Sequence, residues 1–401
     1  MVGWSTRRST LTACTLAFFA TMVARLVISP VVPAISAEFG VSNGTIGLAL
    51  SGVWLAYALA QFPSGLLGDR FGGRLVILVA VGGTAVGSLL LALSPAFLAF
   101  LFFTLVLGSA AGLHYSVATT LLSREFDNTG TAIGVHSAGA PVAGLLAPVT
   151  AAYVGAQFGW RYAVALGAVG AVPAVLLVAA GIPGRAPQRP DERIRDRVDP
   201  RVLGELLTRP PITGTLLIAV CSAFVWQGTA SFLPTFLIEH RGYSETAAGA
   251  VFSAYFLVQG VGQPLLGWLS DRIGRDAAMS ICMAAGVLGY TLFVRGPGLV
   301  SVALATGLVG VAMSWGAAML PKFLDHMSPA EEGFGFGLVR TTYMMFGASG
   351  SVGVGLLADT VGWAGTFLTL SGVLGLVLVA LTATALRRRL RSDVSPTETP
   401  S

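Results

Sequence analysis

A short charged segment occurs twice in this 401-residue chain. The first copy is Gly65–Arg74, with the sequence GLLGDRFGGR, and the second is Gly267–Arg275, with the sequence GWLSDRIGR. Each copy lies between two long apolar runs. An apolar run of roughly 20 residues is long enough to cross a bilayer as a helix. The repeated loop therefore predicts a membrane-spanning bundle that has been duplicated within one chain.

The composition excludes a water-soluble domain. Hydrophobic residues make up 54% of the chain and charged residues only 11%, whereas soluble domains contain about 25% charged residues. Glycine is abundant, at 51 residues, which is typical of helices that pack closely in lipid. The three cysteines, Cys14, Cys221 and Cys282, lie far apart in apolar runs, and we interpret them as small buried residues rather than metal ligands.

The two halves of the chain repeat each other. Six apolar runs precede a polar stretch rich in Pro and Arg, and six follow it. Gly108 corresponds to Gly310, and the pair Gly159-Trp160 corresponds to Gly362-Trp363. We predict an all-α integral membrane protein with twelve transmembrane helices in two pseudo-symmetric six-helix bundles. The predicted segments are an N-terminal bundle (1–183), a cytoplasmic linker (184–211), a C-terminal bundle (212–390) and a disordered tail (391–401).

The distribution of basic residues predicts the orientation. With the N-terminus in the cytoplasm, 19 of the 24 Lys and Arg residues fall on the cytoplasmic side, as the positive-inside rule requires. We therefore expect a multi-pass protein with both termini in the cytoplasm. The net charge of +5 reflects this topology, so no nucleic-acid partner is predicted. A single lysine against 23 arginines favours the cytoplasmic membrane of a prokaryote with a GC-rich genome.

The duplicated loop resembles the signature of the Major Facilitator Superfamily, G-x-L-x-D-R-x-G-R-R, which joins the second and third helices of each half. The resemblance implies a secondary transporter whose two halves rock about a central site. In the family, the loop Asp faces the start of the eleventh or fifth helix, and the loop arginines tie the loop to its neighbours. It therefore implies a gating set, or alternatively a set that fixes topology and folding: Asp69, Arg70, Arg74, Asp271, Arg272 and Arg275.

Two charged residues fall well inside predicted spans. Arg25 lies near the middle of the first helix, and Arg340 lies about two turns into the eleventh. Every Asp and Glu falls in a loop, a tail or a helix end, so no carboxylate is predicted to neutralise Arg25. A buried guanidinium without a counter-charge is costly, and its forked donors match a carboxylate or phosphate. An anionic substrate would supply the missing charge. The alternatives are Arg25 bonded to helix carbonyls and Arg340 extended toward the membrane surface.

The segment Arg25–Pro33 is similar to the first helix of anion-carrying branches of the superfamily, the organophosphate antiporters and the anion/cation symporters, which carry an Arg eight residues before a Pro. Trp226 stands where the organophosphate antiporters place a second Arg, in the seventh helix. A basic residue in the eleventh helix, like Arg340, resembles the oxalate/formate exchanger branch. The resemblance therefore implies an organic anion without specifying which one.

Several uncharged polar or aromatic side chains also fall within spans. His114 and His136 could bind substrate or carry a proton, because imidazole titrates near neutral pH, or could simply pack with hydrogen bonds. Others of this kind are Tyr57, Gln61, Tyr115, Trp226, Gln227, Gln259 and Tyr343. The predicted substrate-binding set is Arg25, Arg340, His114, Tyr115, His136, Trp226 and Gln227.

Competing functions remain open at this point. The segment Gly139–Gly144 resembles a degraded G-P-x-x-G-G motif of drug exporters, so the runner-up is a proton-coupled exporter of drugs or metabolites. A transporter-like sensor is a further alternative. An enzyme is not predicted, because the chain has no nucleophile elbow, P-loop or metal-ligand cluster. We expect a monomer that binds a small molecule and the bilayer, is coupled to a proton or counter-substrate, and needs no cofactor or metal.

Overall fold

The computed structural model describes residues 4–184, 186–187, 200–328 and 331–394. Within them every regular element is a helix. Residues 185 and 188–199 of the predicted linker 184–211 and the last seven residues of the predicted tail lie outside the described residues. A short helix, α10, follows the linker gap, and the last helix continues to Val394.

Six spans form the N-terminal half. The first consists of α1, a short 3₁₀ turn at Ser29–Val31 and α2, and the fourth and fifth are each broken into two helices. Their bounds are α1 Trp4–Leu26, α2 Val32–Phe39, α3 Asn43–Phe71, α4 Gly73–Ala92, α5 Phe97–Gly112, α6 His114–Glu125, α7 Thr129–Ser137, α8 Gly139–Phe158 and α9 Trp160–Gly181.

The C-terminal half repeats this arrangement, with breaks in its fourth and fifth spans as well. Its helices, preceded by α10 Pro200–Thr208, are α11 Pro210–Glu239, α12 Glu245–Ile273, α13 Arg275–Arg295, α14 Gly298–Ala312, α15 Gly316–Leu324, α16 Glu332–Gly347 and α17 Ser349–Val394.

Twelve helices cross the membrane. Ten stretches of the described residues are long and apolar enough to do so. The last of them, Gly335–Leu386, contains two spans, because α17 is kinked at Gly362 (φ 70°, ψ 171°). The remaining span is α12, whose 29 residues extend about 44 Å at 1.5 Å per residue. The fold prediction of two six-helix bundles is confirmed.

The internal repeat is visible in the backbone. Glycines with positive φ end corresponding helices in the two halves: Gly40 and Gly242, Gly72 and Gly274, Gly159 and Gly362. Glycine adopts this region without the steric cost that a Cβ brings. These three helix ends are therefore fixed by the same residue type in both halves, which explains why the glycines recur at an offset of 202 or 203 residues.

Two tryptophan–glutamate pairs show the same symmetry. The indole Nε1 of Trp160 donates to Glu38 Oε2 at 2.6 Å, and that of Trp363 donates to Glu239 Oε2 at 2.7 Å. Each pair ties the end of the first helix of a half to the start of its sixth. The repeated Gly-Trp pair of the sequence thus closes each six-helix bundle.

The two ends of the bundle differ. We call the end carrying Asp69 and Asp271 the signature-loop end, and the end carrying Asn43 and Asp359 the far end. At the far end the carboxylate of Asp359 accepts hydrogen bonds from Asn43 N at 3.0 Å and Gly44 N at 2.7 Å. A carboxylate is favourable at the N-terminus of a helix. A residue of the C-terminal half therefore caps α3 of the N-terminal half.

Further contacts join the halves from the far end toward the centre. Ser51 Oγ donates to Ala348 O at 2.6 Å and accepts from Val352 N at 2.9 Å. Ser29 Oγ donates to Ser231 O at 2.8 Å. These bonds hold α3 against α17 and the first span against α11, so the far end is closed in this conformation.

Candidate functional site

Arg25 lies at the end of α1, where the first membrane span breaks. Only 4% of the residue is exposed. Its Nε donates to Thr21 O at 3.1 Å and its Nη2 contacts Met22 Sδ at 2.7 Å. A cation in the last turn is favoured by the helix dipole, which helps to place Arg25 there. The alternative role of Arg25, bonded to helix carbonyls, predicts such a contact, and the contact is present. It uses only one of the five N–H donors of the guanidinium group.

Two aromatic rings of α3 face the Arg25 guanidinium. Its Cζ lies 3.8 Å from the ring centre of Tyr57 and 4.8 Å from that of Trp54. Tyr57 is one of the polar aromatic residues singled out in the sequence, whereas Trp54 is not. Their three-residue spacing puts both rings on one helix face, and that spacing was the signal available for Trp54.

Arg340 on α16 points into the protein rather than toward the membrane surface. Its Cζ lies 4.7 Å from the ring centre of Tyr115 on α6, so a residue of the C-terminal half contacts a residue of the N-terminal half. Tyr57 and Tyr343 are also its electrostatic neighbours, and Arg340 is an electrostatic neighbour of Arg25. The two arginines therefore share one region of the protein.

We call this region the arginine–aromatic cluster, consisting of Arg25, Trp54, Tyr57, Tyr115, Arg340 and Tyr343. Residues of both halves build it. Its wall continues into the C-terminal half through Trp226, whose ring lies 5.4 Å from that of Trp54 in an edge-on arrangement. Among the described residues, neither arginine makes an ion pair with a carboxylate. The cluster therefore combines two positive charges with aromatic surfaces.

The aromatic rings offset only part of the cost of these charges. Removing one ion from water costs several kcal/mol even after the protein relaxes. A desolvated cation–π contact returns about 2 kcal/mol, but an aromatic ring carries no net negative charge. The contacts at Arg25 and Arg340 therefore leave both guanidinium groups without a counter-charge among the described residues. A bound anion would supply one.

The other predicted binding residues are distributed around the cluster. Gln227 lies beside Trp226 on α11 and is 3% exposed, and its Oε1 has no hydrogen-bond partner among the described atoms. Gln259, by contrast, is bonded through Nε2 to Met313 O at 2.9 Å. Gln227 thus has acceptor capacity to offer a ligand, and Gln259 is fixed between two helices of its own half.

His114 and His136 form a pair behind Tyr115. Both are fully buried, with ring centres 5.4 Å apart. His136 lies 5.6 Å from the Tyr115 ring. The structure therefore brings both histidines to the edge of the arginine–aromatic cluster rather than into contact with its guanidinium groups.

The exporter-like segment Gly139–Gly144 has a packing explanation. A Cβ added at Gly139 would lie 2.9 Å from Thr15 O, and one at Gly144 would lie 2.6 Å from Cγ of the Phe256 side chain. Small residues here allow α8 to approach α1 and α12 closely. Because that approach alone accounts for the two glycines, the segment gives no separate support to the exporter alternative.

The signature loops make contacts within each half. Asp69 Oδ1 accepts from Arg124 Nη2 at 3.2 Å, and Arg74 Nη2 donates to Ala179 O at 2.6 Å. The Arg124 side chain at the end of α6 is therefore one partner of Asp69. Arg70 and Arg272 lie over the rings of Phe71 and Trp268, at 5.3 and 3.9 Å.

In the second loop, Asp271 pairs with Arg275, whose Nε also lies 3.5 Å from Asp325 Oδ2. Nearby, Arg209 and Glu331 form a bidentate ion pair at 2.5 and 3.1 Å. Hydrogen bonds from Arg209 and Ser328 lower the pKa of the exposed Glu331 carboxyl to about 2. Asp271, Arg275 and Asp325 all belong to the C-terminal half, unlike the Asp359 contact at the far end, which joins the two halves.

We expect Asp69→Asn and Asp271→Asn to slow transport several-fold while leaving ligand affinity within a few fold. Both side chains contact arginines of the signature-loop end, and an exposed ion pair contributes about 0.2–1 kcal/mol. Uptake rate and ligand affinity would be measured on the same preparations. Asp127→Asn is the matched control, because Asp127 has a 96% exposed side chain 3.5 Å from Arg7. Loss of ligand binding by folded Asp69→Asn protein would contradict a purely conformational role.

The fold and these paired loops define a membrane transporter built from two six-helix halves. The family model of the Major Facilitator Superfamily matches residues 14–248 and 215–401, so the chain belongs to this superfamily.

Individual relatives are distant. The voltage-gated purine nucleotide uniporter of Homo sapiens is 28% identical over 360 residues, covering 82% of this chain and 80% of the relative. The hexuronate transporter of Bacillus subtilis (strain 168) is 25% identical over 313 residues, covering 74% and 71%. A solved structure, a bacterial homologue of the human lysosomal transporter Spinster in an inward-facing, unoccupied conformation, has a TM-score of 0.76 at 17% identity, with 96% of each chain covered.

Proposed function

We propose that this chain is a secondary transporter that carries a small organic anion across the cytoplasmic membrane by alternating access. The arginine–aromatic cluster carries the proposal. It places two guanidinium groups from opposite halves in one region, and no carboxylate among the described residues neutralises either of them. A ligand that neutralises both would contact both halves at once, as alternating access requires.

The names of the two relatives agree with an anionic substrate. One transports purine nucleotides and the other hexuronates, and both substrate classes carry phosphate or carboxylate groups that match a guanidinium fork. The aromatic walls at Trp54, Tyr57 and Tyr115 favour an anion with an organic body over a small inorganic ion. The substrate class proposed is therefore an organic carboxylate or phosphate.

A binding screen on the purified protein tests this proposal. The probes are glucuronate, ATP and, as an organic cation, ethidium. A ligand at one hundred times its dissociation constant stabilises a protein by about 2.7 kcal/mol, which thermal unfolding detects. We expect stabilisation by glucuronate or ATP and none by ethidium. Stabilisation by ethidium alone would favour the exporter alternative.

The proposed orientation places the signature-loop end in the cytoplasm, in a prokaryotic inner membrane. Asn128 is exposed near that end and Ala96 is exposed at the far end. We expect a membrane-impermeant maleimide to label Ala96→Cys in intact cells and to label Asn128→Cys only after permeabilisation. The wild-type chain, whose three cysteines are free, gives the background. Labelling of Asn128→Cys in intact cells would reverse the assignment.

A further inference from the structure

We propose that His114 and His136 form one proton-binding site, and that a proton bound there moves together with the anion held at the arginine–aromatic cluster. The inference rests on the proposed function, because it assigns the coupling ion of that same transporter. The histidine pair lies behind Tyr115, a position that does not favour direct contact with the substrate. We therefore assign a proton to the pair rather than the substrate.

The pair is enclosed on the side of α1. The Phe18 ring lies 6.0 Å from His114, in a stacked arrangement, and 5.0 Å from His136. The four imidazole nitrogens make no hydrogen bond of good geometry among the described atoms, and the backbone of Cys14 is a polar group that approaches both rings. Two fully buried imidazoles side by side can hold one proton between them far more easily than two.

Both histidines lie at helix breaks. His114 begins α6 directly after the break at Leu113, and His136 lies at the end of α7 directly before the break at Ala138. The corresponding positions of the C-terminal half are Gly316 and Val339, so the pair belongs to one half only. A site at two breaks can change its exposure when the fourth and fifth spans bend, which a proton carrier requires.

The pair is connected to the anion site by one residue. The Tyr115 ring lies 5.6 Å from His136 and 4.7 Å from Arg340 Cζ. Arg25 is an electrostatic neighbour of His114. A change of charge at the arginine–aromatic cluster therefore reaches the histidine pair without any further residue between them.

The charged and titratable groups around the pair come from three elements. The first helix provides Cys14 and Arg25. Helix α6 provides Tyr115 and the buried Glu125, which lies near Cys14. Helix α16 provides Arg340, which contacts Tyr115 rather than the histidines. Glu125 lies at the signature-loop end of α6 and is 4% exposed. The positive neighbours therefore lie on the side of the anion site, and the carboxylate lies on the side of the loops.

This arrangement fixes the sign of the coupling. Like charges repel, so the two arginines oppose a proton on the histidine pair. An anion bound between the arginines cancels part of that repulsion and favours the proton. By linkage, the proton favours the anion to the same degree. Anion and proton therefore bind together, and the coupling is symport rather than exchange.

Proteoliposomes containing His114→Gln or His136→Gln protein test the site, with labelled glucuronate or ATP as the probe. Two measurements are compared: accumulation driven by a proton gradient, and counterflow exchange without a gradient. We expect each variant to lose gradient-driven accumulation by at least about tenfold more than it loses exchange, because only net transport needs the proton to cross the membrane. His240→Gln, at an exposed histidine, is the matched control. Gradient-driven accumulation at wild-type level in His114→Gln/His136→Gln protein would overturn the proposal.

A measurement that does not require transport tests the proton site separately from the proposal that the substrate is an anion. The chain has four histidines, so His240→Gln/His326→Gln protein retains only the pair for ¹⁵N imidazole spectroscopy in nanodiscs. We expect one imidazole to gain a proton on acidification, and glucuronate or ATP to increase the protonated fraction at fixed pH, because a bound anion reduces the repulsion from the two arginines. Two imidazoles that stay neutral throughout would overturn the proton site. Protonation with uptake of ethidium instead of either anion would retain the proton site and reject the anion proposal.

Discussion

Arg25→Ala is expected to lower the affinity for the transported anion by tens- to thousands-fold, the range that corresponds to about 2–5 kcal/mol for the loss of one partner of a buried charge pair. The reason is that Arg25 is 4% exposed, contacts one backbone carbonyl and faces two aromatic rings. A bound anion is then its main compensating charge. Affinity for glucuronate or ATP would be measured by thermal stabilisation or direct binding.

Arg25→Lys provides the matched comparison. Lysine keeps the charge and loses the fork that binds a carboxylate or phosphate at two points. We expect it to bind the anion more weakly than wild type and more strongly than Arg25→Ala. Arg25→Ala should fold, because removing a buried charge also removes the cost of desolvating it, and Arg25→Lys should fold because it places the same charge where one is already accommodated. Near wild-type uptake by folded Arg25→Ala protein would refute the anion site and put the exporter alternative first.

Gly355→Val is expected to abolish most transport while leaving anion binding within a few fold. A Cβ at Gly355 would lie 2.1 Å from Asn43 O, across the contact between the halves at the far end. Overpacking of this kind costs about 1–3 kcal/mol, which lowers the equilibrium constant for closing the far end about five- to 150-fold. Alternating access needs that closed arrangement, whereas the arginine–aromatic cluster lies deeper in the bundle. Uptake rate and binding affinity are the two measurements.

Gly372→Val is the control for this substitution. Gly372 also lies on α17, is exposed, and has no atom within 4 Å of an added Cβ. It should leave uptake within about twofold. Equal loss of uptake in both variants would show that the effect comes from helix propensity rather than from closure of the far end.

The residues that carry the site were partly visible in the sequence. Arg25 and Arg340 stand out because a charge within an apolar run is costly and usually functional. The offset between the two signature loops predicts the twelve-helix fold, because two copies of one loop need two copies of the same bundle. The repeated Gly-Trp pairs were also visible, although their bonding to Glu38 and Glu239 was not.

Other features depend on contacts that no local pattern encodes. Asp359 caps Asn43 and Gly44 more than 300 positions away, and in the sequence it is only an acidic residue near a helix end. The break at Leu113 occurs in an apolar helix that has no proline nearby. The spacing of Trp54 from Tyr57 places both on one helix face, but the contact of Trp54 with Arg25 depends on how the two spans pack. These features follow from how the helices pack, which a pattern along one chain does not specify.

A double-mutant cycle between Arg25 and Arg340 tests the central claim most directly, namely that one anion is held jointly by arginines of the two halves. Binding of glucuronate or ATP would be measured for wild type, Arg25→Ala, Arg340→Ala and Arg25→Ala/Arg340→Ala. Residues that share a ligand or a network show coupling of about 0.5–3 kcal/mol, whereas independent sites add within about 0.3–0.5 kcal/mol. We predict coupling in the first range, with the double variant losing less than the sum of the single losses. Strict additivity, or anion binding unchanged by Arg340→Ala, would contradict a shared site.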